Sequence, residues 1–549
     1  MKKRVLIGLS WPYANNRLHI GGIASSLPAD AIARYHRMIG NDVSFVTGSD
    51  CYGTPIMVSA ERENTTPENV ANKYHAFHDA DFRAMGFTFT LYDKTLSKRH
   101  HEFVKQFHTE MYRSDLIYEK TEPRLYCDHC KKFLPDRYVE GICPHCKKPA
   151  KGDSCDHCGQ ILEPEDLIDP KCILCGTTPK PQIQTQMYLK LSALQGKIQH
   201  FFDDRKDKWT TNAVGLTQRY LNEGLQDRAI TRSLAWGIDI PKKGWDDRKI
   251  YIWAENVLGY FSASEPEFRA DEPNALHYYV HGKDNIPFHS IILPALIMAR
   301  NGTLNAKTDR GLTPYHLPDI IVASEYVNVG GEKMSKSKGN IIPVHVMHEN
   351  FDVDMVRFFL LRIINDKRDA NFTWEEFVNV INGELVNNYG NLVNRTLSFA
   401  KTKFGGRVRA GAMDEDSKSV CVDGDVAVVI ENAKKEWHEL MPLGHVAAAL
   451  KVAMDLVNFG NKYFADKKPW SGIDCDPRSV VGDVTEIIRA ATYMLTPFIP
   501  NACGKVALWL GGDGSRGHGE IILDDIEVLF QRLELSRVME IVESANGKK

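Results

Sequence analysis

No stretch of this 549-residue sequence approaches the roughly eighteen consecutive apolar residues of a membrane span. Lys2, Lys3 and Arg4 begin the chain as a secretory signal would. The apolar run behind them, Val5–Leu9, stops at Ser10 and Pro12, too short for a signal core. A cytoplasmic protein with no membrane partner is expected. Net charge is almost absent too: 68 Lys and Arg stand against 71 Asp and Glu, a balance of −3. No global positive field announces a nucleic acid, so any such partner must use a local surface. The sequence has no low-complexity segment and, cysteine pairs aside, no internal repeat. With 43% hydrophobic and 25% charged residues it is not a disordered tail, a collagen-like chain or a disulfide miniprotein. At roughly 100–200 residues per domain, its length corresponds to about three or four domains.

Cysteine usage hides a pattern that composition does not show. Of twelve cysteines, eight form four pairs with a two-residue gap: Cys127 and Cys130, Cys143 and Cys146, Cys155 and Cys158, Cys172 and Cys175. Such a gap lets two thiolates face one point from a tight turn, which is half of a tetrahedral site. One or two structural zinc ions are expected. Sequential pairing (first with second, third with fourth) and nested pairing (first with fourth, second with third) both satisfy the spacing. Thioredoxin-like redox pairs come singly behind a strand of a βαβ unit, and disulfide frameworks need an oxidising compartment. Neither describes this window. His129, His145 and His157 lie inside the pairs and are surplus as ligands. Cys421, Cys475 and Cys503 are scattered and read as buried small hydrophobes.

Upstream of the cysteines, Val5–Leu9 reads as a strand, Ile23–Met38 as a helix and Val43–Val46 as a second strand leading to Asp50. This is a βαβ unit of the nucleotide-binding kind. Gly21 and Gly22 allow phosphates to approach the helix N-terminus, where the dipole favours negative charge, and His19 adds a donor. Downstream, apolar runs at Lys249–Trp253, His277–Val280 and Ile320–Ala323 read as further strands of a sheet that the cysteine-bearing insertion interrupts. Between Gly330 and Asn340, three lysines alternate with two serines. On spacing alone this is a solvated charged loop; the alternative is a mobile clamp for a transferring phosphoryl group. From Val353 the pattern is helical: Asp354–Ile363, Trp374–Phe399, Val426–Leu440, His445–Phe464 and Val480–Thr496. That half reads as an all-helical bundle.

His19-Ile20-Gly21-Gly22 looks like the HIGH signature of class I aminoacyl-tRNA synthetases, and Lys333–Ser337 is KMSKS, the second signature of that class. PYAN at Pro12–Asn15, LPDRYVEG at Leu134–Gly141, GKD at Gly282–Asp284, FHS at Phe288–Ser290 and NKYFADKKPW at Asn461–Trp470 narrow the resemblance to the methionyl-tRNA synthetases. It covers essentially the whole chain. The resemblance implies an α/β Rossmann-like catalytic domain over 1–115 and 226–350, the latter carrying the KMSKS loop. A zinc-bearing connective insertion over 116–225 would split it, and an all-α anticodon-binding bundle would follow over 351–549.

The implied reaction is ATP-dependent ligation of methionine to its tRNA through methionyl-adenylate, releasing AMP and pyrophosphate. ATP with magnesium, methionine and tRNA are then the partners of a monomeric enzyme. By resemblance His19, Lys333 and Lys336 are catalytic. His19, Gly21, Gly22, Gly282, Asp284 and Lys336 bind ATP. Trp11, Tyr13, Asp50, Trp253, Tyr260 and His289 hold the amino acid, with Asp50 taking its ammonium group. Asn391, Arg395 and Trp470 read the anticodon.

Several positions depart from the family pattern, mostly on the amino-acid side. Gly22 replaces the second His of HIGH, Trp11 stands where Leu is usual, and Cys51-Tyr52 follows Asp50 where a His is usual two residues on. Glu255-Asn256-Val257 replaces the usual Asp-Ala-Pro. Trp11 would take volume that a methionine side chain needs unless the backbone shifts, and a buried Asn256 needs partners. Two alternatives follow: a paralogue activating a smaller or more polar amino acid, and a tRNA-binding protein that has lost synthesis.

Overall fold

A computed structural model describes residues 2–152, 154–155, 157–303, 312–332, 334, 340–405, 407–409, 423–471, 476–511, 520–522 and 526–547. Its principal strands are β1 (Arg4–Leu9), β2 (Asp42–Ser49), β3 (Leu91–Lys94), β4 (Ile117–Cys127), β5 (Lys180–Leu189), β6 (Ala275–Gly282) and β7 (Ile320–Ser324). Five of them form one parallel sheet in the order β7-β6-β1-β2-β3. The strand expectations for Val5–Leu9, Val43–Val46, His277–Val280 and Ile320–Ala323 are met within this sheet, which draws strands from both sides of the insertion. β1 lies at its centre, with Gly8 between Tyr279 of β6 and Val46 of β2. Val5–Leu9 is wholly buried, as a parallel strand covered on both faces must be.

Lys249–Trp253 differs from its expectation. Only Lys249–Ile250 is strand, paired antiparallel with Thr231–Arg232 outside the parallel sheet, and Ile252–Ala254 is a single 3-10 turn. A short apolar run carries no periodicity that separates a sheet strand from a buried turn. In the insertion, β4 and β5 form a long antiparallel ribbon. A three-stranded sheet, Pro149–Lys151, Val139–Ile142 and Ile168–Cys172, accompanies it.

Contacts divide the chain into two units. One comprises Met1–Leu18, His36–Arg83 and Phe87–Glu325; the other comprises His19–Tyr35, Ala84–Gly86 and Tyr326–Lys549. The second unit therefore includes most of the helix α1 (Ile20–Met38) that follows β1. Its later helices include α2 (Val353–Ile363), α3 (Asn391–Phe404), α4 (Gly424–Leu440), α5 (Val446–Lys467) and α6 (Pro477–Leu495). The predicted Trp374–Phe399 helix is interrupted: Ile381–Gly390 is π-helical, and α3 begins directly after it. A π stretch adds residues to each turn and so re-aims the side chains that follow.

Arg357 on α2 is a buried charge of the helical unit, with no exposed surface. Its guanidinium donates to Asp30 Oδ2 of α1 at 2.7 Å and to the carbonyls of Met85, Pro497 and Phe498 at 3.0–3.1 Å. Arg34 reaches the same Asp30 oxygen at 2.8 Å. Among the described residues, no helix is long and apolar enough to cross a membrane.

The first unit buries many histidines. Burial holds His36, His78, His100, His108 and His289 down to about 4, and His277 to about 3. Between these values and the unfolded value of about 6.5, the unfolded chain binds more protons, so stability rises with pH across that window. Asp50 and Glu255, whose pKa values burial raises, act in the opposite sense and are outnumbered. Urea unfolding should therefore show the midpoint falling steadily from pH 6.5 towards pH 4, by at most about 1.4 kcal/mol per histidine per pH unit. A midpoint independent of pH over that range would contradict the assignment.

Candidate active site

In a parallel sheet, the strand ends leave a crevice at the carboxyl edge where ligands bind. The predicted amino-acid residues gather at that edge. Asp50 ends β2, and the segment after β1 is laced to it: Asp50 N–H donates to Pro12 O at 2.9 Å, and Ala14 N–H to Asp50 O at 2.8 Å. Tyr13 is thereby held opposite Asp50. The Asp50 carboxylate is buried, and each oxygen has a donor. Tyr52 N–H reaches Oδ1 at 3.1 Å and Asn256 Nδ2 reaches Oδ2 at 2.5 Å. Burial and the neighbouring Glu255 push the Asp50 pKa well above the usual carboxylate range. The Tyr52 and Asn256 donors and the Arg137 guanidinium pull the other way. Asn256 thus has the partner its burial requires.

Glu255 is buried beside it and pairs with His100 Nε2 at 2.7 Å, while His100 Nδ1 meets Ser262 Oγ at 2.9 Å. Burial raises the pKa of Glu255 and lowers that of His100, so the neutral forms are favoured on both sides of this bond. The Trp11 indole lies 5.9 Å from the His100 ring and is only 6% exposed. Its room comes from two glycines. A Cβ on Gly48 would stand 2.7 Å from the indole, and one on Gly259 would stand 2.7 Å from it on another edge. The bulk that the sequence flagged is absorbed by missing side chains.

Tyr260 packs on the bare Cα of Gly8 in β1, and its hydroxyl meets His289 Nε2 at 2.7 Å. Burial keeps that imidazole neutral, down to about 4. Trp253 stacks on Phe288 with ring centres 3.6 Å apart and planes within 7°. Gly282 ends β6, and Asp284 follows on an exposed turn. All these residues belong to the first unit.

His19, Gly21 and Gly22 belong to the second. His19 is held by a bridge to Pro343, with Ile20 N–H on Ile342 O at 3.0 Å. Among the described residues its Nδ1 is buried without a hydrogen-bond partner, and burial lowers its pKa. A Cβ on Gly21 would meet the Met334 methyl at 2.5 Å, so the two signatures touch; a Cβ on Gly22 would meet nothing within 4 Å among the described residues. Lys333 and Lys336 lie outside the described residues.

In the same unit, Arg395 on α3 donates to Asn461 O at 2.8 Å and lies 4.6 Å above the Phe464 ring. Trp470, 55% exposed, has its ring 5.9 Å from that of Phe464. Phe464 thus joins two of the three predicted anticodon residues. Asn391 is exposed one helical turn before Arg395.

The cysteines settle into nested sets. Cys127, Cys130, Cys172 and Cys175 form one, and Cys143, Cys146, Cys155 and Cys158 the other, with the sulfurs of each set within 4.8 Å of one another. Sulfur separations of 3.5 and 3.9 Å recur in both. A tetrahedron with metal–sulfur bonds of about 2.3 Å has edges of about 3.8 Å, so each set fits a zinc ion. Cys503 is buried as expected, while Cys421 and Cys475 lie outside the described residues.

Three contributors were not singled out from sequence. His100 gave no signal, because its partner lies 155 residues away. Phe288 stood inside the quoted FHS motif. Arg137 stood inside LPDRYVEG, and its guanidinium lies 5.6 Å from the Tyr13 ring.

Residues 5–397 match the family described as tRNA synthetases class I (M). The chain is 40% identical over 548 residues to methionine--tRNA ligase 1 of Alkaliphilus oremlandii, covering 96% of this chain and 97% of that one. It is 40% identical over 562 residues to methionine--tRNA ligase of Bacillus mycoides, covering 99% of each. In fold it is similar to Mycobacterium tuberculosis methionyl-tRNA synthetase in complex with methionyl-adenylate, with a TM-score of 0.77 at 23% identity. That match covers 97% of this chain and 100% of the other.

The glycine geometry makes a paired test. Gly259→Ala drives a methyl into the Trp11 indole and should cost about 1–3 kcal/mol in chemical denaturation. Gly22→Ala, on a helix and facing open space, should be neutral or stabilising by up to about 1 kcal/mol. Equal effects would refute the packing described for Trp11.

Proposed function

The chain belongs to the class I tRNA synthetases of the methionine type, and from that premise we propose that it ligates methionine to its tRNA through methionyl-adenylate. The contact of Gly21 with Met334 supports this reading most directly, because it joins two signatures far apart in sequence beside a buried His19 nitrogen that no described residue partners. In the first step the methionine carboxylate oxygen bonds to the α-phosphorus of ATP, and the bond to the departing pyrophosphate breaks. In the second, a tRNA 3′-terminal ribose hydroxyl bonds to the activated carbonyl and AMP leaves. Positioning and charge neutralisation supply most of the rate in such transfers.

His19, held neutral by burial, serves as a hydrogen-bonding partner of the triphosphate and not as a cation. Charge neutralisation then falls to Lys333 and Lys336, with magnesium arriving on ATP. Gly21 and Gly22 admit the phosphates, and Gly282 and Asp284 take the ribose. Asp50 receives the ammonium group. Trp11, Tyr13, Trp253, Tyr260 and His289 surround the side chain, whose sulfur is favourable against aromatic edges. Trp470 stacks an unpaired anticodon base, with Asn391 and Arg395 reading base edges. The segments 1–115, 116–225, 226–350 and 351–549 are the working domains of a cytoplasmic monomer. Each cysteine set holds one structural zinc.

Asn256 beside Asp50 favours one competing reading, a paralogue for a smaller or more polar amino acid. ATP–pyrophosphate exchange with each of the twenty amino acids separates them. Methionine alone should support exchange. Exchange with another residue instead would select the paralogue, and exchange with none, alongside tRNA binding, would select a protein that has lost synthesis.

Metal analysis should find two zinc ions per chain. Replacing Cys143 and Cys155 together by serine should lower this to one; a zinc-free wild-type protein would refute the assignment.

A further inference from the structure

We infer that Asn256 is a positioning residue of the amino-acid site, its side-chain amide fixing the Asp50 carboxylate in the orientation that receives the substrate's ammonium group. The inference rests on the reading of Asp50 as the ammonium partner, and it concerns a residue to which that reading assigns no part.

The geometry is direct. Among the described residues two hydrogen-bond donors reach the Asp50 carboxylate, one on each oxygen: the Tyr52 backbone on Oδ1 and the Asn256 side chain on Oδ2, the latter at 2.5 Å. The Tyr52 bond is local and comes with the turn after β2. The Asn256 bond spans 206 residues and fixes the torsion of the carboxylate from across the site. Asn256 is itself buried on a short turn that starts immediately after Glu255, and Glu255 is anchored by His100. The donor is therefore held as firmly as the acceptor.

The electrostatic surroundings explain why such a donor is needed. Glu255 faces Asp50 from the Asn256 turn, Arg137 from the insertion, Tyr260 from the following helix, and Cys51 and Tyr52 from its own segment. Burial and Glu255 favour the protonated carboxyl, which cannot pair with an ammonium ion. The amide of Asn256 is one of three groups that favour the ionised form. Removing it should loosen the orientation of Asp50 and also shift its titration upward.

The test is ATP–pyrophosphate exchange by the full chain across pH 6–9. Asn256→Ala should raise KM for methionine about tenfold at pH 7.5, with kcat changed less than threefold and KM for ATP unchanged. The defect should shrink towards pH 9, as Asp50 ionises without the amide's help. A methionine analogue lacking the amino group, 4-(methylthio)butanoate, should inhibit wild type and variant equally. A KM defect of equal size at every pH, an equal loss of affinity for the analogue, or an unchanged KM for methionine would each overturn the inference. Asn256→Ser, which also removes the amide, takes the same measurements if the alanine variant does not fold. Failure of the wild-type protein to exchange with methionine would instead overturn the functional reading beneath it.

Discussion

A carboxylate taken out of water must find charge or donors at close range, or it takes up a proton and becomes neutral. Asp50 is such a group, and much of the first unit is arranged around it. The end of β2 supplies its backbone, the segment after β1 is tied to that backbone, and the turn at Asn256–Leu258 supplies a side-chain donor. The cysteine-bearing insertion contributes the Arg137 charge. These stretches are distant in sequence and converge because the parallel sheet brings its strand ends to one edge. The second acid, Glu255, is accommodated by hydrogen bonding to His100 in a setting that favours both neutral forms.

The helical unit solves the same problem with the opposite sign. Arg357 has no exposed surface, and one carboxylate and three carbonyls satisfy it. Because Asp30 lies on α1, the buried pair ties the helix that starts at the HIGG signature to α2 of the bundle. Removing one partner of such a pair leaves a stranded charge, which costs more than the intact pair contributes.

What could be read from the sequence was whatever depends on neighbours along the chain. Strands β1, β2, β6 and β7 announced themselves as short apolar runs bounded by turn residues, the helices by their period, and the cysteine pairs by their gap. What depends on distant partners was hidden. The bond from Asn256 to Asp50 and the pair of His100 with Glu255 have no local signature. Nested and sequential cysteine pairings obey the same spacing, so only the fold of the insertion separates them. The packing of Trp11 was hidden in the same way, because side-chain volume was judged at one position. The compensating absences, at Gly48 and Gly259, look like ordinary glycines until the indole is placed between them.

The nesting of the two cysteine sets also orders their assembly. The inner set closes the short loop from Cys143 to Cys158, while the outer set must bring together Cys127 and Cys175 around all of it. Closing the longer loop costs more chain entropy, and the cost falls once the inner loop has become a compact knot. The inner set is therefore the natural nucleus of the module. The outer set acts as its clasp, drawing the ends of β4 and the strand Ile168–Cys172 together. A chain in which only the inner set had closed would be half-tied, with its centre ordered and its neck open.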